Sequence, residues 1–288
     1  MACSAPPSII SSDTPTAPTA WWPNTSRPGA HASIAVVGFA LSAYPVGVER
    51  GWMTRADALQ RSLAALRFFR DSDQRGTPES TGYRGFYFHF LHLDRGTRAW
   101  RCELSLIDTA LLYCDYFENS RRATYVQRAY AIQNPRGFVG YGEDTWGLSA
   151  GDGPRAPRQR IAGRRQSFYG YAARGVPYGP DDGTLAGPSV VASLVFAPEI
   201  ALPAIRRLLT RGSAIGDRAA RASGFNDTVH GGWVSAGTFG LDQGLIVLMI
   251  ENFRTGLLWR LLRGSAPIRT GLHRAGFRGG WLAEDAPR

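Results

Sequence analysis

Two long helical segments, near the start and the end of the chain, most constrain what it can fold into. Residues 33–50 read SIAVVGFALSAYPVGVER, and the segment from Gln243 to Leu262 reads QGLIVLMIENFRTGLLWRLL. Both are apolar nearly all round, which is typical of helices buried on most sides. Other helices must therefore surround them, and the sequence predicts a mainly α fold. Pro45 is expected to kink or split the first segment.

Shorter helices are predicted between these two. The second helix opens at Thr54, with Asp57 three residues on, as in a capping box. An apolar stripe follows at helical spacing, formed by Leu59, Leu63, Leu66 and Phe69. Further helices are predicted over residues 103–113, Asn119–Gln133, Ser189–Val195 and Pro198–Thr210 and in the closing APIRTGLHRAGF.

Two other regions interrupt the helical pattern. The aromatic run GYRGFYFHFLHLDRGTRAWRCE, with a turn signal at residues 94–97, predicts an inserted β-hairpin. Residues 134–187 are dense in Gly, Pro and Asp, and long ordered loops of this kind are usually functional. Residues 1–23 form a Pro/Ser/Thr-rich segment, so we expect a disordered tail followed by one domain over residues 24–282.

Composition argues against several functional classes. The net charge is +10, but every basic residue is arginine and the arginines are spread along the chain. The one dense run, PRAPRQRIAGRR, is predicted to be a solvated loop rather than a phosphate-binding arm, so no nucleic-acid partner is expected. The three cysteines include no CxxC pair, and no phosphate or dinucleotide loop is present. We therefore predict neither metal nor cofactor.

Signals for membrane insertion and export are also missing from the sequence. No stretch is long and apolar enough for a transmembrane helix. Residues 1–30 lack the basic and apolar regions of a signal peptide. The default expectation is a cytoplasmic protein, although exported relatives are compatible with it.

Several strings are specific enough to indicate a family. They include NTSRPGAHASIAVVGFALSAYPVGVERGW, GYRGFYFHFLHLDRGTRAWRCELSLIDTALL, DYFENSRRATYVQRAYAIQNPRGFVGYGEDTWGLSAGDGP and DQGLIVLMIENFRTGLLWRLLR. From Asn24 to Leu282 the chain resembles the glycoamylase-like domain family, which is related to bacterial endo-β-1,2-glucanases and to the processing modules of cyclic β-1,2-glucan synthases. The resemblance implies an (α/α)6 toroid with a sugar cleft at one end, and a glycoside hydrolase or transglycosylase that acts on β-glucans.

The chain departs from this family pattern in one place. IDTALLYC runs directly into DYFENSRR, where the family carries several further helices, so the domain looks shortened between Leu112 and Asp115. An incomplete toroid would expose apolar faces of helices such as Ser33–Arg50 and favour self-association. The alternative interpretation is a truncated member without activity that at most binds glucan.

Hydrolysis of a glycosidic bond usually needs two carboxyl groups that flank it. Glu103 and Asp108 match the acidic helix that faces the cleft in the family, and the resemblance implies a catalytic role for both. At 100° per residue the two lie 140° apart around a helix, so one helix cannot direct both at the same bond. Asp108, beside the apolar stripe, is preferred. Glu103 has a second interpretation as a negative charge in a first helical turn.

Substrate-binding candidates combine aromatic rings with carboxylates. Such a mixture suits a glucan cleft, because rings stack on sugar faces while carboxylates accept hydroxyl hydrogen bonds. The candidates are Tyr141, Glu143, Asp144, Trp146, Asp181, Asp182, Trp233 and Asp242. For Asp181 and Asp182 a plain turn is the alternative. Asp242, directly ahead of the last long helix, is more often an N-cap than a catalyst.

Three further positions have structural interpretations. Glu251 lies within a helix that is predicted to be buried, and Arg122 or Arg254 is its expected partner. His89 and His92 fall in an extended segment and are expected to be core or surface residues rather than ligands.

Overall fold

The computed structural model describes residues 21–106, 120–155, 159–161, 164–176, 179–210, 222–229 and 232–283. Helices dominate this part of the chain, in agreement with the predicted class. They are α1 (Ile34–Glu49), α2 (Arg55–Asp71), α3 (Ser120–Gln133), α4 (Gly187–Ala192), α5 (Pro198–Thr210), α6 (Gly240–Thr255), α7 (Leu257–Arg263) and α8 (Ala266–Arg274). Short 3-10 turns cover Ser193–Val195 and Gly280–Leu282.

The strands are only two or three residues long and form small antiparallel sheets. They are β1 (Ala32–Ser33), β2 (Gly82–Tyr83), β3 (Phe86–Phe88), β4 (Phe90–Leu91), β5 (Leu104–Ser105), β6 (Ala150–Gly151), β7 (Gln159–Ile161), β8 (Arg164–Gln166), β9 (Ala172–Ala173), β10 (Phe225–Asn226) and β11 (Trp233–Val234). The pairs are β1–β4, β2–β3–β5, β6–β9, β7–β8 and β10–β11.

The two long apolar segments pack against each other. Val36, Phe39 and other residues of α1 are buried, and Leu248 and Met249 of α6 are completely so. The contact depends on glycine in α6, since a Cβ at Gly240 or Gly244 would lie only 2.5 or 2.6 Å from side-chain atoms of α1. The prediction that both segments contain largely buried helices is confirmed for α1 and α6. The predicted split at Pro45 is wrong, since α1 continues through that residue.

Two helix predictions were wrong in their bounds. The last long segment is divided at Gly256, which has a left-handed φ of 66°, and the Asn252 side chain accepts hydrogen bonds from the first amides of α7. Residues 104–105 form strand β5 rather than helix, because they pair with Tyr87 and Phe88 of β3. Sequence periodicity does not register such long-range pairing.

The predicted β-hairpin is present, but its tight turn is not the one expected. β2 and β3 are joined through Arg84 and Gly85, both with positive φ. The turn at residues 94–97 instead leads to an isolated bridge between Leu91 and Arg98. The arginine-rich run, predicted to be a loop, contributes the short hairpin of β7 and β8.

Helix α2 confirms the predicted cap but only part of the predicted apolar stripe. The Thr54 hydroxyl accepts the Asp57 amide at 3.1 Å. Leu59 and Leu66, however, are largely exposed, and α2 packs inward through Ala58, Ala65 and Phe69. Exposed apolar side chains thus lie on α2, whereas α1, the helix expected to be bare, is covered. Self-association through such faces stays a prediction.

The folded part begins before Asn24. Trp21 is almost completely buried and stacks on Phe69 at 5.3 Å, with Phe68 edge-on at 4.4 Å. The boundary of the predicted tail at residue 23 is therefore too late. Among the described residues, no helix combines the length and apolar character needed to cross a membrane.

Candidate active site

A cavity of about 110 Å³ opens where the start of α6 meets β1, β4 and β6. Its walls combine apolar, aromatic and hydroxyl-bearing side chains around one carboxyl group, that of Asp242. The lining residues include Ser33, His89, Phe90, Tyr171, Ser223 and Phe239. The cavity thus brings together residues from four distant parts of the chain.

Asp242 is the most perturbed carboxyl group of this cavity. It lies in the first turn of α6, and Phe239, not Asp242, is the N-cap residue, so the N-cap interpretation is wrong. The side chain is buried, and its Oδ2 has no hydrogen-bond partner among the described residues. Burial raises its pKa to about 7, against a hydrogen bond with Ser223 that lowers it. Asp242 can therefore carry a proton near neutral pH.

The Ser223 hydroxyl is itself held in place. It accepts the backbone amide of Asp152 at 3.2 Å. Asp152 is buried, accepts the Ser235 hydroxyl at 2.9 Å and pairs with Arg27. The guanidinium of Arg27 lies 5.3 Å from the ring centre of Phe239, another cavity residue. The polar side of the cavity thus rests on a fixed network.

Glu103 reaches the cavity wall through a histidine. Its Oε1 lies 2.7 Å from Nδ1 of His89, which lines the cavity. A hydrogen bond from its own backbone and one from His89 lower the pKa of Glu103 despite partial desolvation. Glu103 is thus an ionised carboxylate next to the cavity, although it does not line it. The preferred candidate, Asp108, lies outside the described residues, as does the junction between residues 112 and 115.

Two of the candidates in the long loop, Tyr141 and Asp181, form a cluster with Tyr130 of α3. Tyr141 donates to Oδ1 of Asp181 at 2.6 Å, and Tyr130 donates to Oδ2 at 2.9 Å. Burial, followed by the charge of Asp181, raises the pKa of Tyr141 well above its usual range and that of Tyr130 to about 12. Both hydroxyls remain protonated donors, and both Asp181 oxygens are occupied.

Asp182 is neutralised by an arginine. Arg174 donates to both of its oxygens, at 2.8 and 2.9 Å, and both side chains are almost completely buried. The amides of Tyr169 and Thr184 complete the shell. Burial alone would raise the pKa of Asp182, but these hydrogen bonds outweigh it and hold the pKa below its usual value. The geometry matches the turn interpretation of this aspartate.

The other candidates lie elsewhere. Trp146 is fully buried in the core, so it presents no ring face for a sugar. Glu143 is an exposed carboxylate that pairs with Arg128, and Asp144 is in the same turn. Trp233 is half-buried in β11 and does not line the cavity. Sugar contact by Glu143, Asp144 and Trp233 stays a prediction.

Two sequence interpretations differ from the structure, one in an ion-pair partner and one in the location of a side chain. Glu251 is buried and paired in a two-pronged contact with Arg50, at 2.8 Å for each bond, rather than with Arg122 or Arg254. His89, taken as a core or surface residue, belongs to the cavity. The only sequence signal for His89 was its place in a dense aromatic run, and Ser223 and Tyr171 carried none. Among the described residues, no three His, Cys, Asp or Glu side chains are grouped to hold a metal.

Solved structures share this fold. A "putative glucoamylase" of Bacteroides uniformis superposes with a TM-score of 0.71 at 21% identity, over 92% of this chain and 93% of that one. The endo-β-1,2-glucanase of Chitinophaga pinensis, solved with sophorotriose and glucose, gives 0.65 at 18% identity, over 87% and 89%. At these identities the likeness concerns the fold, and it confirms the α/α-toroid class.

Sequence comparison leads to the same family. An exo-β-1,2-glucooligosaccharide sophorohydrolase (non-reducing end) of Parabacteroides distasonis is 33% identical over 163 residues, which is 56% of this chain and 20% of that relative's length. The Glycoamylase family model, described as "Putative glucoamylase", matches residues 90–266. That match covers more than half of the chain, and the chain belongs to the Glycoamylase family.

Proposed function

We propose that this protein is a glycoside hydrolase that cleaves β-1,2-linked glucans, with Asp242 as the general acid. The observation that carries the proposal is a buried carboxyl group that lines a cavity and has one oxygen without a hydrogen-bond partner among the described residues. Family membership and the β-1,2-glucan enzymes among the similar proteins support the substrate class.

The environment of Asp242 suits proton donation. Cleavage of a glycosidic bond requires a proton on the leaving oxygen, and the donor must hold that proton at the working pH. An ordinary aspartic acid is ionised at pH 7. Asp242 can retain its proton there because burial raises its pKa to about 7. The carboxyl group then gives the proton to the glycosidic oxygen as the bond to the anomeric carbon breaks.

The second carboxylate is proposed to be Glu103 or Asp108. Glu103 is held in its ionised form and contacts the cavity wall through His89. An ionised carboxylate can remove a proton from the attacking water, or it can attack the anomeric carbon itself. If a sugar hydroxyl takes the place of water, the same two groups catalyse transglycosylation.

The test is release of reducing sugar from linear β-1,2-glucan by the purified protein. Asp242→Asn removes the exchangeable proton at nearly constant volume, and we expect the rate to fall by at least about 100-fold. Asp71→Asn is the control, since Asp71 is an exposed carboxylate at the end of α2, paired with Arg70. It should retain the unmodified rate.

The pH profile gives a second test. Activity should decline as pH rises through about 7, because Asp242 loses its proton there. Unchanged turnover in Asp242→Asn would overturn the assignment of the acid. A protein that binds the glucan without releasing any sugar from it would overturn the proposed activity and support the alternative of a binding-only family member.

A further inference from the structure

We propose that Trp100 is a sugar-stacking platform that binds a glucosyl unit next to the Asp242 cavity. This inference rests on the proposed function and adds a binding position to the same site. Trp100 is 62% exposed. Among the described residues it is the one tryptophan with a largely exposed side chain. An exposed indole offers a broad apolar face on which a sugar ring can stack.

Trp100 is connected to the cavity by direct ring contacts. Its ring centre lies 5.2 Å from that of Phe90, which lines the cavity. On another side it packs edge-to-face with His31 at 4.2 Å. The backbone carbonyl of His31 accepts the amide of Asn24, a further cavity residue. A saccharide leaving the cavity over Phe90 would therefore meet Trp100 next.

The backbone at this position forms a tight turn. Trp100 and Arg101 have φ values of 54° and 55°, and the Cys102 amide donates to the Ala99 carbonyl at 3.0 Å. This is the pattern of a type I′ turn, whose two central residues both have a positive φ. Trp100 is thus one of the two central residues of this turn.

Side-chain hydrogen bonds also hold this turn in place. The Arg98 guanidinium donates to the carbonyls of Arg101 and Cys102, at 2.9 and 2.6 Å, and lies 4.4 Å from the ring centre of Phe88. The Cys102 thiol accepts the Phe90 amide at 3.2 Å. A rigid ring loses little entropy when a ligand binds, which favours its use as a platform.

The ligand that fits is a β-linked glucan of several units. The apolar C–H face of a glucosyl ring stacks on an indole, as apolar faces do on aromatic rings in general. The cavity of about 110 Å³ is too small to enclose a long chain. Units beyond the one nearest Asp242 therefore lie outside it, and Trp100 would contact one of these.

The experiment measures binding by calorimetry in the Asp242→Asn protein, so that no substrate is consumed. The probes are β-1,2-linked gluco-oligosaccharides from the disaccharide upward. We expect Trp100→Ala to weaken binding of the longer oligosaccharides about tenfold, which corresponds to 1.4 kcal/mol, and to change binding of the disaccharide little. Trp100→Phe should restore most of the affinity, because it keeps a ring at this position.

Two controls separate recognition from folding. Phe277→Ala removes another exposed ring, in the segment after α8, and should leave binding unchanged. Thermal unfolding of Trp100→Ala shows whether the fold survives. Equal weakening at every chain length, or none, would overturn the platform, as would a parent protein that binds no β-1,2-glucan. Length-dependent binding in a protein that hydrolyses nothing would sustain the platform and remove only the proposed activity.

Discussion

Asp182 and Asp242 are both buried carboxyl groups, yet their surroundings differ completely. Asp182 has an arginine across both oxygens and two backbone amides. Asp242 lines a cavity, has a hydrogen bond with Ser223, and has a buried Oδ2 without a hydrogen-bond partner among the described residues. The first environment holds the pKa below its usual value, and the second raises it. Burial alone therefore does not identify a functional acid; the partners of the buried group do.

The largest effect on stability is expected when Arg174 loses its carboxylate partner. Asp182→Ala should destabilise the protein by about 3–5 kcal/mol, because Arg174 would remain as an unpaired buried charge. Denaturant unfolding with Asp71→Ala as a control measures the loss. A loss of unfolding free energy similar to that of the control would mean that the ion pair does not stabilise the fold. The contrast drawn between Asp182 and Asp242 would then fail.

At Asp242 we expect a substitution to raise the free energy of unfolding rather than lower it. Its folded pKa of about 7 exceeds the usual 3.8, so stability is full below about pH 4 and declines as pH rises to about 7. Asp242→Asn removes this penalty and should stabilise the protein above pH 7 by up to about 4 kcal/mol. At pH 4 the difference should vanish. Thermal unfolding at both pH values tests this, and a variant that is less stable at pH 8 would contradict it.

The smallest effect concerns the cluster around Asp181. Tyr141→Phe removes one donor to a buried carboxylate that keeps its bonds from Tyr130 and the Gly183 amide. We expect a loss of about 1.5–3 kcal/mol in the free energy of unfolding. The matched control is Tyr125→Phe, which removes an exposed bond to Glu199 and should change little. Equal effects would show that burial of the acceptor does not matter here.

Sequence reasoning worked best where a signal is local. The Thr54 cap and the bounds of α5 depend on neighbouring residues, and both were predicted correctly. It failed where a distant segment intervened. Residues 104–105, predicted to be helical, form β5 because β3 pairs with them. Leu59 and Leu66 face outward because the packing of α2 selects the face with Ala58 and Ala65.

The candidate site shows the same division. Aspartate and tyrosine in a glycine-rich loop were predicted to bind substrate, which stays a prediction. No spacing rule tells a satisfied buried carboxylate from an unsatisfied one. Asp182 has its arginine only eight residues away, while the neighbours of Asp242 in the cavity come from as far as Ser33.

The sequence by itself determined the family, the helical class and the burial of two apolar helices, because these follow from local composition and from motifs. Tertiary structure alone decided which buried carboxyl group has a raised pKa. The pKa of a carboxyl group depends on solvent and on charges within a few ångströms. In this protein those neighbours come from segments that are far apart along the chain.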